Sequence, residues 1–201
     1  MYLVTEVDNA ITIEKSKFIT YLKRVKNEDE YKDFLLKIRK KHYDSSHVCS
    51  GFICHNIKRS SDDGEPSGTA GAPILNVLER NNLDEICALV VRYFGGIKLG
   101  TGGLTRAYSN SVIEALNNAK FVEEYEYDKY ELTISYEIGN KIDYFLSSQT
   151  VLLDTKYDIN ITYTFCSDDS NIIEKICEYT KGIRPTNIGK QIIEKDATIN
   201  L

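Results

Sequence analysis

The residues of this chain best equipped for chemistry lie in one run, VVRYFGGIKLGTGGLTRAY, at positions 90–108. Gly95, Gly96, Gly100, Gly102 and Gly103 place five glycines in nine positions, and Arg92, Lys98 and Arg106 add cationic charge. Glycine adopts positive φ and lets a ligand approach the backbone, and a helix that starts after such a turn offers unpaired N–H groups. Those are the ingredients of an anion site, with Thr101 and Thr105 on the same candidate surface. A tight strand-to-helix connection is the alternative, but packing alone calls for one or two glycines rather than five.

Two named nucleotide motifs fail here. Gly95 and Gly100 have P-loop spacing, yet Thr101 stands where the phosphate-binding lysine belongs. Gly100 and Gly102 begin a G-x-G-x-x-G fingerprint, yet Thr105 occupies its third glycine position.

A second polar run, KRSSDDGEPSGTAG from Lys58 to Gly71, reads as a structured loop. Asp62, Asp63 and Glu65 could work as acid or base or hold magnesium, and Ser67 and Thr69 could bind phosphate oxygens. Asp-Gly and Glu-Pro are equally ordinary turn formers, and no histidine or further acid nearby in sequence specifies a metal. His47, Cys49, Cys54 and His55 do not form a zinc set. At ~3.3 Å per residue an extended strand parts the two histidines by about 26 Å and turns Cys54 away from Cys49. There is no G-x-S-x-G elbow and no nucleophile with an evident base. Tyr125, Tyr127, Tyr130 and Tyr136 are interleaved with glutamates that would repel a nucleic-acid backbone, so they read as packing. No metal and no cofactor is expected.

The elements that must position these residues follow from periodicity. Residues 1–25 alternate in places and suggest one or two strands with a turn near Lys15–Lys17. Asn27 caps a helix carrying Tyr31, Phe34, Leu35, Ile38 and His42 on one face, with Glu30 at the capping-box position. His47–His55 and Ile86–Phe94 read as strands, and Pro73 suits the first turn of a short helix. A helix follows the glycine run from Leu104. Residues 123–130 (EEYEYDKY) suggest a junction, after which the order is β-α-β-β-α-β, the ferredoxin-like plan. Ser167 or Asp168 would cap the last helix. The expectation is an α+β chain of two domains, 1–125 and 126–201.

Composition sets limits on function. The 201 residues are 42% apolar and 27% charged with three prolines, as in an ordered globular chain. No window is apolar enough to span a membrane and the start lacks a signal-peptide pattern, so a cytoplasmic protein is expected. Five cysteines, an odd number placed in apolar runs, fit a reducing compartment. The net charge of −5 arises from residues 126–201, which leaves a local patch rather than a global field to attract nucleic acid.

The pairing of SSDDGEPSGTAGAPIL, residues 60–75, with the glycine run resembles the YigZ/IMPACT family. Asp62, Asp63, Glu65 and Pro66, and Arg92, Gly95, Gly96, Lys98, Gly100, Gly102, Gly103 and Arg106, all occupy motif positions. The resemblance implies that the first domain is a βαβ domain like a ribosomal-protein domain and elongation-factor domain IV, that the second resembles another elongation-factor domain, and that the setting is translation. Eukaryotic relatives regulate translation by competing for an activator of a stress kinase, but carry a different additional domain, so that partner does not transfer. The family has no settled enzymatic activity.

Three functions remain open: a non-enzymatic regulator that binds RNA, a ribosomal element or a translation-related protein; an enzyme acting on a phosphorylated small molecule or nucleotide; and a protein-interaction module that binds no phosphate. All three depend on whether the acidic loop lies beside the glycine turn.

Overall fold

The alternating start of the chain forms three strands in the computed structural model, which describes residues 1–199. β1 is Tyr2–Leu3, β2 is Val7–Ile13 and β3 is Ser16–Arg24. Glu14 and Lys15 take φ of 45° and 64° between β2 and β3, and Ile13 faces Ser16. Two left-handed residues in succession give a hairpin turn whose twist matches that of the strands.

Helix α1, Glu28–Lys41, begins where expected: the Asn27 side chain accepts from the N–H groups of Asp29 and Glu30 at 3.1 and 2.9 Å. Its first turn is acidic and its last is basic, which suits the helix dipole at both ends. β4 (His47–Cys54), β5 (Ile57–Ser61), α2 (Gly71–Arg80), β6 (Ile86–Tyr93) and α3 (Gly100–Asn117) follow.

One antiparallel sheet results, in the order β2-β3-β6-β4-β5. Its central strand β6 is apolar at successive positions because both of its faces are covered. Ile86, Ala88 and Val90 join Ile74 and Leu78 of α2 and Tyr108 and Val112 of α3, whereas Cys87, Leu89 and Val91 join Phe34 and Ile38 of α1. With α1 on one face and α2 and α3 on the other, the β6-to-α3 connection emerges from the centre of a sheet held on both sides.

The remaining elements are β7 (Phe121–Ile134), α4 (Tyr136–Gln149), β8 (Val151–Tyr157), β9 (Ile161–Ser167), α5 (Ser170–Tyr179) and β10 (Thr186–Ala197). β7 pairs with β10 and β9, and β9 with β8, as the β-α-β-β-α-β plan requires. Leu132, Ile134, Ile161, Tyr163 and Phe165 pack with Ile142 and Leu146 of α4 and Ile173 and Ile176 of α5.

The chain divides into Met1–Glu123 together with its end from Asp196, and Glu124–Lys195. The tail is therefore not wholly part of the second unit, and Ala197 and Ile199 pack against the core that contains α2 and α3. The division after Glu123 falls inside residues 123–130, and the chain passes it as continuous strand β7, where Tyr125 and Tyr127 at alternate positions favour extended backbone despite the charge. Asp169, rather than Ser167 or Asp168, caps α5 by accepting from the Asn171 N–H at 2.8 Å. Among the described residues no helix is long and apolar enough to cross a membrane.

Candidate anion-binding site

Asp62 organises the acidic loop. Its Oδ1 accepts from the N–H groups of Ala70 and Gly71 at 2.9 and 2.8 Å, and its Oδ2 from that of Gly68 at 2.8 Å. Burial pushes its carboxyl up, but the three backbone donors outweigh that and hold it below the usual range. Gly71 is required because a Cβ there would meet the Ser61 backbone N at 2.6 Å.

Asp63 is committed as well: Oδ1 accepts from Arg39 Nη2 at 2.6 Å and Oδ2 from the Val48 N–H at 2.7 Å. Its carbonyl accepts from His47 Nδ1 at 2.8 Å, which fixes that ring's tautomer. Thr69 donates its hydroxyl to the Pro66 carbonyl at 2.7 Å, while Ser67 is exposed.

Glu65 turns inward. Its Oε1 accepts from Arg92 Nη1 at 2.6 Å and Tyr108 Oη at 2.8 Å, with His47 Nε2 at 3.9 Å. Tyr108 also accepts from Cys49 Sγ at 3.3 Å, and burial pushes the Cys49 thiol up to about 12. That cysteine is a protonated core residue rather than a nucleophile. Nor does Arg92 stand free to meet a phosphate backbone as its sequence position suggested: it is 5% exposed, tied to Glu65, and within 5.5 Å of the Phe18 ring centroid.

The glycine run divides by role. A Cβ on Gly95 would lie 2.0 Å from the Lys15 carbonyl carbon, so this glycine serves the close passage of β6 beside the β2–β3 turn. Gly96 and Gly100 have φ of 88° and 69°, which favours glycine on conformational grounds. Helix α3 starts at Gly100, one turn earlier than the apolar periodicity indicated, so Gly100, Thr101, Gly102 and Gly103 form its first turn. Leu99 stands at the N-cap and makes no side-chain cap. The first-turn N–H groups are thus left without the usual side-chain acceptor.

Gly102 has neither constraint: its φ is not left-handed, and a Cβ there would find only Arg106 Nη1, at 3.9 Å. Gly103 is tighter, with Leu99 Cβ at 3.0 Å. Thr105 returns its hydroxyl to the Thr101 carbonyl at 3.1 Å, within the helix.

Loop and turn meet. Glu65 and Pro66 share a cleft of about 390 Å³ with Arg92, Phe94, Lys98 and the start of α3. A second cleft of about 460 Å³ lies between Glu14 of the β2–β3 turn and Lys98, Gly103 and Arg106. Lys98 borders both clefts, and neither Lys98 nor Arg106 forms an ion pair among the described residues. The arrangement offers an anion two exposed cations and one helix N-terminus. It offers an acid–base reaction little, since Asp62, Asp63 and Glu65 already hold partners.

Sequence reasoning left out Ser16 and gave Phe94 and Tyr108, although both lie in the run 90–108, no role at the site. Ser16 Oγ, buried at the start of β3, accepts from the Gly95 N–H at 3.2 Å and lies 3.4 Å from Arg92 Nη2. Tyr108 falls on the apolar face of α3 and passes for core unless its hydroxyl is asked for a partner. Phe94, 49% exposed, ends an otherwise buried apolar run, and that exposure cannot be seen in sequence.

The Impact N-terminal domain family model matches residues 14–116. The chain is 42% identical over 182 residues to the IMPACT family member YvyE of Bacillus subtilis, covering 87% of this chain and 84% of that one. It is 40% identical over 129 residues to the IMPACT family member YigZ of Escherichia coli, covering 62% and 63%. A crystal structure described only as that of a hypothetical protein superposes with a TM-score of 0.60 at 29% identity, over 96% of this chain and 95% of the other.

Proposed function

This chain belongs to the IMPACT family, and from that premise we propose that it is a non-enzymatic, translation-associated protein that binds RNA through the cationic face of the α3 N-terminus. The observation that carries this reading is the pair Lys98 and Arg106. They border one cleft, form no ion pair among the described residues, and flank a helix start without a side-chain cap. In a chain of net charge −5, unpaired cations gathered at one helix N-terminus favour a phosphate partner locally.

The acidic loop supports the surface without performing chemistry. Asp62 shapes its backbone, Asp63 fastens it to Arg39 and β4, and Glu65 anchors it to Arg92 and Tyr108. A phosphate-transforming enzyme would require one of these carboxylates to leave its partners.

Salt titration of RNA binding tests the reading. Phosphate contacts release counterions, so affinity falls with salt in proportion to the number of contacts. Replacing Lys98 and Arg106 together by alanine should weaken binding and lower the steepness of that dependence by about two contacts. An unchanged slope, or no binding by the unaltered chain, overturns it.

A further inference from the structure

The cleft beside the acidic loop differs in character from the cationic cleft next to it. Pro66, Leu99 and Leu104 give it apolar walls, and Phe94 adds an aromatic ring that is half exposed. Its polar edge is Lys98 with Gly100 and Thr101 of the first turn of α3.

Arg92 contributes to the lining. Its guanidinium lies 5.4 Å from the centroid of the Phe94 ring, an arrangement that braces the ring. Although the residue is 5% exposed, its Nε–H has no hydrogen-bond partner among the described residues. Buried donors are nearly always satisfied, and this one, closed to solvent in a residue that lines the cleft, is a polar demand that the chain itself does not meet. The uncapped α3 N-terminus and this orphan donor are independent features of one cleft of about 390 Å³, a volume within the range of small-ligand sites.

A flat aromatic ring and apolar walls combined with a cation and a helix N-terminus suit a ligand that has a planar apolar part and an anionic part. Resting on the RNA-binding reading above, we infer that this cleft holds one unpaired nucleotide of the bound RNA, its base stacked on Phe94 and its phosphate against Lys98 and the first N–H groups of α3. Bases in a duplex are stacked on one another and have no free face to offer, so the cleft selects single-stranded RNA, a loop or an end.

The test uses the full chain with fluorescently labelled single-stranded and duplex RNA, competed with nucleoside 5′-monophosphates and with inorganic phosphate. Nucleoside monophosphates should displace the single strand at lower concentration than phosphate does. Phe94→Ala should weaken single-strand binding about tenfold or more, Phe94→Tyr should restore it, and neither should alter the salt dependence or duplex binding. The half-exposed position of Phe94 makes folding of both variants expected, and circular dichroism checks it. If Phe94→Ala binds the single strand like the unaltered chain, or if monophosphates compete no better than phosphate, the nucleotide cleft is wrong while a Lys98- and Arg106-dependent salt slope still upholds RNA binding. If neither RNA binds, both readings fall.

Discussion

Arg92 and Glu65 form an ion pair of 2.6 Å between side chains only 6% and 4% exposed, one at the end of a central strand and the other in a loop. Desolvation makes such a pair a poor source of net stability, but leaving one partner alone is expensive. The pair therefore acts as a lock: either charge left without the other opposes closure of the acidic loop against β6.

Glu65→Ala should accordingly destabilise the chain by about 3–5 kcal/mol, because it leaves a buried guanidinium uncompensated. The double variant Glu65→Gln with Arg92→Met should recover much of that loss, since it removes both charges while keeping volume. Urea unfolding of Glu65→Gln, Arg92→Met and the double variant measures the coupling. Additive losses would show that the two residues do not act as a unit.

Asp62 gives a second test, with a defined direction in pH. Its three backbone donors hold the folded carboxyl below its unfolded value of about 3.9. The stabilisation is complete above that value and disappears as pH falls through the lower folded one. Asp62→Ala should lower stability at pH 7 by at least about 2 kcal/mol, given hydrogen bonds to a charged acceptor, and the variant should lose less than the unaltered chain on further acidification. Thermal unfolding at pH 7 and pH 3 compares them.

His42 loses stability in the same direction of pH, in a higher window and for a different reason. Tyr93 donates to Asp44 at 3.2 Å and so accepts from His42 Nδ1 at 2.8 Å, which leaves Nε2 to accept from Tyr21 Oη at 2.8 Å. A proton on Nε2 has no acceptor in that arrangement. Burial, assisted by Lys41 and Lys17 and opposed by Asp44, holds the ring below its ordinary value. With the folded pKa depressed, stability is complete above about pH 6.5 and declines as pH falls toward the folded value. Chemical denaturation at pH 7.5 and pH 5.5 should show this decline, and His42→Gln, which cannot titrate, should reduce it. Equal declines would place the titration elsewhere.

These groups differ in how far sequence reveals them. The cap at Asn27, the apolar run of β6 and the β-α-β-β-α-β order follow from local pattern, because each depends on residues near one another in the chain. The Glu65–Arg92 pair joins positions 27 apart, and Thr20 meets Ser111 across 91 at 2.6 Å. No periodicity carries such partnerships. The glycine run was visible as a candidate, but its division into packing, conformational and unconstrained positions needed the neighbours of each Cα. The start of α3 was misplaced for the same reason: three glycines weaken a helical pattern by about 1 kcal/mol each relative to alanine, and only the packing of Leu104, Ala107 and Tyr108 behind them holds the first turn.

That division yields a last prediction, in which stability and binding move apart. Gly95→Ala should destabilise strongly, because its Cβ would fall 2.0 Å from backbone in the Lys15 turn and neither strand can withdraw without loss of sheet pairing. Gly102→Ala meets no such obstacle, and alanine in the first turn should stabilise the helix by roughly 0.5–1 kcal/mol. If Gly102 is there to let a phosphate approach the N–H groups of α3, the same methyl group should weaken RNA binding while the melting temperature rises. Calorimetry and an RNA titration on one preparation read both quantities. A variant that is more stable and binds equally well would show that the open surface at Gly102 serves no ligand, and would remove the α3 N-terminus from the site.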